Sequence, residues 1–155
     1  LPKKLNMKIL GIGNAIVDVI CKVDDSFIIK NNLTKSTMKL FFDENDFKKL
    51  LINLKIEKTV SGGSVANSIV GISQLGGKVG FVGKISDDDF GVKYEEGLKK
   101  ENVEFFYSKK KEKLPTGTCL ILVTPDSERT MCTFLGTAGK INENDVNSNA
   151  IKESE

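Results

Sequence analysis

The stretch Val60-Ser61-Gly62-Gly63-Ser64-Val65-Ala66-Asn67, running on as Ser68-Ile69-Val70-Gly71-Ile72-Ser73-Gln74-Leu75-Gly76-Gly77, decides how the chain is read. It opens as the end of an extended segment, passes through two glycines and becomes a helix. Val65, Ile69, Ile72 and Leu75 recur at helical spacing, and Ala66 and Val70 widen the apolar stripe. Ser64 is placed as the N-cap and Gly76-Gly77 as the stop. A double glycine at such a turn lets the backbone approach a ligand closely, or take angles that other residues avoid. Asn67 falls in the first helical turn, with its amide directed toward the same opening. Two readings fit: a small polar ligand held by backbone N–H groups and one amide, or a tight turn with Asn67 merely solvated.

Outward from this stretch, strands alternate with helices. Met7 to Ile12 reads as a buried strand leading into Gly13-Asn14. Gly11-x-Gly13 invites a dinucleotide-binding reading, but that fingerprint needs a third glycine followed by a helix. Here Ile16 to Val23 follows instead, a β-branched alternating run and so a second strand. Val17, Val19, Cys21 and Val23 share one face, and Ile16, Asp18, Ile20 and Lys22 the other. A carboxylate between two isoleucines is costly to bury without a partner. That partner is either a neighbouring Lys or Arg, or the paired hydroxyls of a ligand. Ser26 to Leu33 reads as a short helix and Met38 to Phe42 as a strand. Asp43 caps a helix with the stripe Phe47, Leu50, Leu51 and Leu54.

Lys78 to Ile85 is a further core strand, and Asp87-Asp88-Asp89 introduces a helix carrying Phe90, Tyr94 and Leu98 and closing on Lys99-Lys100. The three carboxylates lack the alternate spacing and downstream Glu of a calcium loop, so they read as helix capping. Glu104 to Tyr107 is a short strand; Thr118 to Thr124 and Thr130 to Leu135 form a hairpin about residues 125–128, with Arg129 where it turns back. Residues beyond Ile141 are polar, the start of one more helix. The alternation from Met7 to Lys100 indicates a layered α/β sheet. The hairpin-like segments 16–23, 38–42, 104–107 and 118–135 are expected to form a second, smaller sheet beside it.

Composition narrows the function. At 155 residues the chain can bury one core, and 39% hydrophobic with 28% charged residues is ordinary for a soluble domain. A net charge of +2, from 23 basic and 21 acidic residues, argues against a polyanionic partner. The lysines at 109–111 and 113 have no interleaved aromatics to suggest nucleic acid. No apolar run reaches membrane-spanning length, and no signal-peptide core stands at the N-terminus, so a cytoplasmic location is expected. Cys21, Cys119 and Cys132 read as free buried thiols. There is no histidine, which removes the commonest general base and metal ligand and leaves Asp, Glu, Lys, Arg and backbone to carry chemistry.

Gly11-Ile12-Gly13-Asn14-Ala15-Ile16-Val17-Asp18, Gly62-Gly63-Ser64-Val65-Ala66-Asn67, and Gly80 to Gly91 together resemble the ribokinase-like (PfkB) carbohydrate kinase family. Pro115-Thr116-Gly117-Thr118-Cys119 and the hairpin from Thr124 to Arg129 are most similar to its adenosine kinase branch and related bacterial sugar kinases. The resemblance implies a layered α/β sheet of Rossmann-like topology with a small β-sheet lid, the lid segments falling at about 15–42 and 104–135. It implies that Asp18 accepts hydrogen bonds from vicinal sugar hydroxyls, that Asn14, Gly62, Gly63 and Asn67 complete the pocket, and that Met38 and Leu40 supply apolar contacts. Arg129 matches a lid arginine that reaches the transferring phosphate, where a cation stabilises charge. The implied cofactors are ATP and Mg2+, and the implied partner is a nucleoside or sugar; exposed lid strands are also a route to homodimers.

The family's Gly-Ala-Gly-Asp string, its Asn-x-x-Glu string and a Walker A motif are all missing from this sequence, and position 1 is not Met. The expectation is therefore the N-terminal, acceptor-binding part of one ribokinase-like domain, without its ATP-binding half and inactive by itself. No metal site is expected in it. Adenosine is the first acceptor and a free sugar such as ribose or fructose the second. A non-catalytic nucleoside- or sugar-binding module is the rival of another class. A nicotinamide-dependent oxidoreductase rests on Gly11-x-Gly13 alone.

Overall fold

Gly62-Gly63 stands at the passage from one sheet to another. The computed structural model describes residues 8–154, in the order β1 (Lys8–Ile12), β2 (Ile16–Lys22), α1 (Asp25–Lys30), β3 (Met38–Phe41), α2 (Glu44–Leu51), β4 (Lys58–Gly62), α3 (Ser64–Gln74), β5 (Lys78–Val82), α4 (Asp89–Lys100), β6 (Glu104–Phe105), β7 (Gly117–Val123) and β8 (Arg129–Phe134). Two 3-10 segments, Gly136–Lys140 and Glu143–Asp145, and α5 (Ser148–Lys152) follow. Met7, expected in the first strand, lies outside the described residues.

The strands sort into two sheets. One is parallel, in the order β1-β5-β6; the other is mixed, in the order β3-β8-β7-β2-β4. In the mixed sheet β2 runs parallel to β7 and β3 parallel to β8, while β4 and β8 run antiparallel to their neighbours β2 and β7. A layered α/β sheet with a second sheet beside it is thus observed, but among the described residues the second sheet, with five strands, is the larger of the two, not the smaller, and two memberships change. Residues 104–105 pair with β5 and belong to the parallel sheet, not to the lid. The lid gains β4, whose Val60 stands opposite Asp18.

Helix α3 packs on the parallel sheet. A Cβ on Gly11 would lie 2.7 Å from the Ile69 side chain, so the missing side chain sets the closeness of helix and strand. The expected N-cap moves by one residue: Gly63, at φ 97°, holds that position, and Ser64 begins the helix without a side-chain cap bond. Leu75 also leaves the apolar stripe; it is the C-cap and 89% exposed, because the chain turns away at Gly76, with φ 88°.

Helix α4 lies between the sheets. Tyr94 and Leu98 are fully buried, and the Tyr94 ring packs against Phe81 and Phe105. Side chains of this kind contribute about 1.5–3 kcal/mol each on burial. Its start is fixed by Asp88, whose Oδ1 accepts from the Gly91 N–H at 2.8 Å and the Thr116 hydroxyl at 2.7 Å, while Oδ2 accepts from the Thr116 N–H at 2.9 Å. The capping expectation for the acidic run thus narrows to one residue, which also ties α4 to the segment entering β7. Beyond the C-terminal end of β5, Lys84 is buried and donates to both oxygens of Asp145 at 2.9 and 3.0 Å, fastening the second 3-10 segment to the sheet. Among the described residues, no helix is long and apolar enough to cross a membrane.

Candidate functional site

The register of the mixed sheet builds the site. Asp18 on β2 faces Cys119 on β7, Cys119 faces Thr133 on β8, and Thr133 faces Leu40 on β3. One row along, Ile20, Ile121, Met131 and Met38 stand in line in the same way. Side chains directly opposite in paired strands share a face, so these residues form one surface. The intervening positions Val17, Val19, Leu120, Leu122, Cys132 and Phe134 point into the core and are buried. The Asp18 face is open instead: Met38 is 60% exposed, Val60 40% and Met131 38%. One end of it is closed by a small cluster of Ile16, Cys119 and Ala138, with Ile121 and Leu135 packed against it.

Asp18 is half-buried in this apolar surface. Burial pushes its carboxyl above the usual carboxylate range, and no hydrogen bond or nearby cation from the described residues offsets that effect. Of the two sequence-level possibilities, a Lys or Arg partner is therefore not found. The carboxylate leans over Gly62, where a Cβ would stand 2.4 Å from Oδ2. The Gly62 carbonyl in turn accepts from the Tyr94 hydroxyl at 3.2 Å, and burial, then the Asp18 charge, pushes that phenol upward and keeps it protonated. Gly63 is constrained independently: at φ 97° its backbone lies so near Asn14 that a Cβ would be 2.4 Å from the Asn14 carbonyl oxygen. Asn14, Gly62, Gly63 and Asp18 are thereby brought together.

The remaining expected residues are spread more widely. Leu40 is at the far end of the Asp18 row, with Met38 beside it in the next. Leu40 also borders a pocket of about 240 Å³ with Phe42, Leu114, Phe134 and Leu135, where β3 and β8 end. Asn67 is exposed and lines a groove of about 510 Å³ along the outer edge of β4, beside Val60 and Ser61. Arg129 is exposed and pairs with Val123, four residues along β7 from the Cys119 that faces Asp18. At about 3.3 Å per residue that is roughly 13 Å of strand, so the structure does not bring Arg129 to Asp18. Its hairpin is anchored by Lys35, which pairs with Asp126 and with Asp25, and by Ser36, whose hydroxyl donates to Glu128 at 2.6 Å.

A model of the family described as pfkB family carbohydrate kinase matches residues 9–155. The chain belongs to the pfkB family of carbohydrate kinases. The crystal structure of adenosine kinase from Sinorhizobium meliloti superimposes with a TM-score of 0.84 at 33% identity, over 96% of this chain and 45% of that one. A fructokinase of Escherichia coli is 40% identical over 74 residues, 48% of this chain and 24% of its own length. Adenosine kinase 2 of Arabidopsis thaliana is 29% identical over 141 residues, 84% of this chain and 38% of its own length. The chain thus spans less than half the length of each of these pfkB relatives.

Cys119, Thr133, Met131 and Val60 were not among the expected site residues. Their strands are recognisable from composition, but the face each residue joins depends on which strands pair, and β2 meets β7 across nearly a hundred residues of chain. Alternation within the Thr118–Thr124 run separates Cys119 from Leu120; it does not say which of them joins Asp18.

Proposed function

We propose that this chain carries the acceptor-binding and lid part of an ATP-dependent phosphotransferase that acts on a hydroxymethyl group of a nucleoside, with adenosine the first acceptor. The observation that carries this reading is Asp18, a carboxylate without a partner among the described residues, on an open apolar sheet face. Two carboxylate oxygens accept from two vicinal hydroxyls at once, and hydrogen bonds to a charged group are worth about 1.5–3 kcal/mol each. Gly62 leaves room for that carboxylate, and Gly63 brings its backbone against that of Asn14 next to it. What supports a nucleoside over a free sugar is the apolar surface continuing from Asp18 to Leu40 and Met38, which a planar base would cover. A free-sugar kinase of the ribose or fructose type is the second reading, favoured by the stretch shared with the fructokinase.

The described residues include no group of three or more histidine, cysteine or carboxylate side chains able to hold a metal ion. In this reading Mg2+ and most contacts to ATP, which a kinase of this family uses to supply the phosphoryl group, are assigned no residues of this stretch. Arg129 is the exception proposed here: an exposed cation on the lid hairpin, about 13 Å of strand from the Asp18 row, whose proposed task is to stabilise charge on the transferring phosphate. The stretch alone is expected to bind nucleoside without sustained phosphorylation.

The test is turnover by the full-length protein with ATP, Mg2+ and, in parallel, adenosine, ribose and fructose. Adenosine is expected to give the highest kcat/KM, and Asp18→Asn to lower it by at least about a hundredfold, the effect of losing two charged hydrogen bonds. A preference for fructose or ribose would select the second reading. Unchanged kinetics in Asp18→Asn would remove Asp18 from the site.

A further inference from the structure

Between Asp18 and Leu40 the row contains one hydroxyl, that of the half-buried Thr133. Its proton is already committed, because Thr133 Oγ1 donates to Cys119 Sγ at 3.2 Å. The sulfur is free to accept because its own S–H is directed to the Leu120 carbonyl at 3.9 Å. Burial also pushes the Cys119 thiol up, so the sulfur keeps its proton and this sequence of donors keeps its direction. A hydroxyl whose hydrogen is engaged still carries acceptor lone pairs. On a face otherwise lined by Ile20, Ile121, Met131 and Leu40, those lone pairs can be satisfied within a covered site only by a donor that the ligand brings. Thr133 stands two strands from Asp18, roughly 10 Å away at 4.8 Å per strand. That separation exceeds a single sugar ring and matches the reach from the ribose hydroxyls of a nucleoside to the far edge of its base.

We infer that Thr133 is a specificity-determining residue, whose hydroxyl accepts a hydrogen bond from an amino group on the base of a nucleoside anchored at Asp18. The inference rests on the acceptor reading given above. It narrows the substrate class to amino-bearing ribonucleosides and gives Cys119 the task of orienting the Thr133 hydroxyl.

The experiment compares adenosine with purine riboside, the same nucleoside without its amino group, as acceptors for the full-length protein and its Thr133→Val and Thr133→Ser variants. Thr133→Val is expected to raise KM for adenosine about tenfold, the effect of one lost hydrogen bond, with kcat within twofold. It should leave purine riboside unaffected, and Thr133→Ser should restore adenosine. Equal losses for both nucleosides, or no loss for either, would overturn the assignment. Thr133→Ala, which introduces no new volume, gives the same comparison if the valine variant fails to fold. If adenosine turnover depends on Asp18 but not on Thr133, the acceptor reading stands and Thr133 falls. If the wild-type protein phosphorylates neither nucleoside, the acceptor reading fails and takes this assignment with it.

Discussion

Asp18 is placed against its own stability. Its carboxyl is pushed above the usual range by burial, with no partner among the described residues to recover the desolvation. A group whose folded pKa lies above its unfolded one binds protons more tightly in the folded state. Its contribution to stability therefore worsens as pH rises through the folded value and remains unfavourable at neutral pH. Asp18→Asn should accordingly stabilise the ligand-free protein at pH 7. The gain is kept below about 1 kcal/mol by the solvent still reaching the group, which for a chain of this size is a rise in Tm of less than about 4 °C. The same variant should lose acceptor affinity. A thermal scan showing Asp18→Asn less stable than wild type would mean that the carboxylate has a structural partner after all. Gain of stability with loss of binding is the pattern of a side chain retained for a ligand.

At the scale of elements, the local signals were readable and the pairings were not. The period-two alternation of Ile16 to Lys22 separates Asp18 from the core-facing valines without reference to any other strand, and that division is observed. The apolar stripe of α4 likewise announces Tyr94 and Leu98. Membership of a sheet is a long-range property, which is why residues 104–105 were expected in the lid and pair instead with β5, and why β4 was not expected beside β2. Asp88 shows the same boundary. Its capping of α4 follows from sequence, but its two bonds to Thr116, a residue only 1% exposed, do not. Asp88→Ala should therefore cost more than an ordinary cap. About 1 kcal/mol goes with the cap, and a further 1–3 kcal/mol is the penalty for leaving the buried Thr116 N–H unpaired, the hydroxyl still reaching the Ser86 carbonyl at 3.4 Å. Urea unfolding should show a loss of about 2–4 kcal/mol; a loss below 1 kcal/mol would show that solvent reaches Thr116 and replaces the carboxylate.

For the whole molecule, acid sets three carboxylates against one another. Asp126 is held down at about 2 by hydrogen bonds from Lys35 and then Thr124, an arrangement that fastens the β7–β8 hairpin to the segment before β3. Asp145 is buried, which alone would raise it, but Lys84 and the Asn142 N–H outweigh burial and hold it below the usual range. Depressed carboxylates of this kind contribute stability that is complete above their unfolded pKa and is lost as pH falls through the folded value. For Asp126 that window runs from about 4 down to about 2. Asp18 acts in the opposite sense, since its raised pKa makes protonation favour the folded state. The two depressed carboxylates act below about 4 and Asp18 above it, so the urea midpoint should change little from pH 7 to about 5 and fall between about 4 and 2. Lys84→Met should lower the midpoint at neutral pH, because it leaves Asp145 buried without its cation, and should flatten the acid limb by removing the cause of the depressed pKa. Asp18→Asn should leave that limb unchanged and alter only the region above about 4, where the raised Asp18 pKa lets protonation favour the folded state. A wild-type midpoint that does not fall between about 4 and 2 would show that the Asp126 and Asp145 pairs contribute no measurable stability.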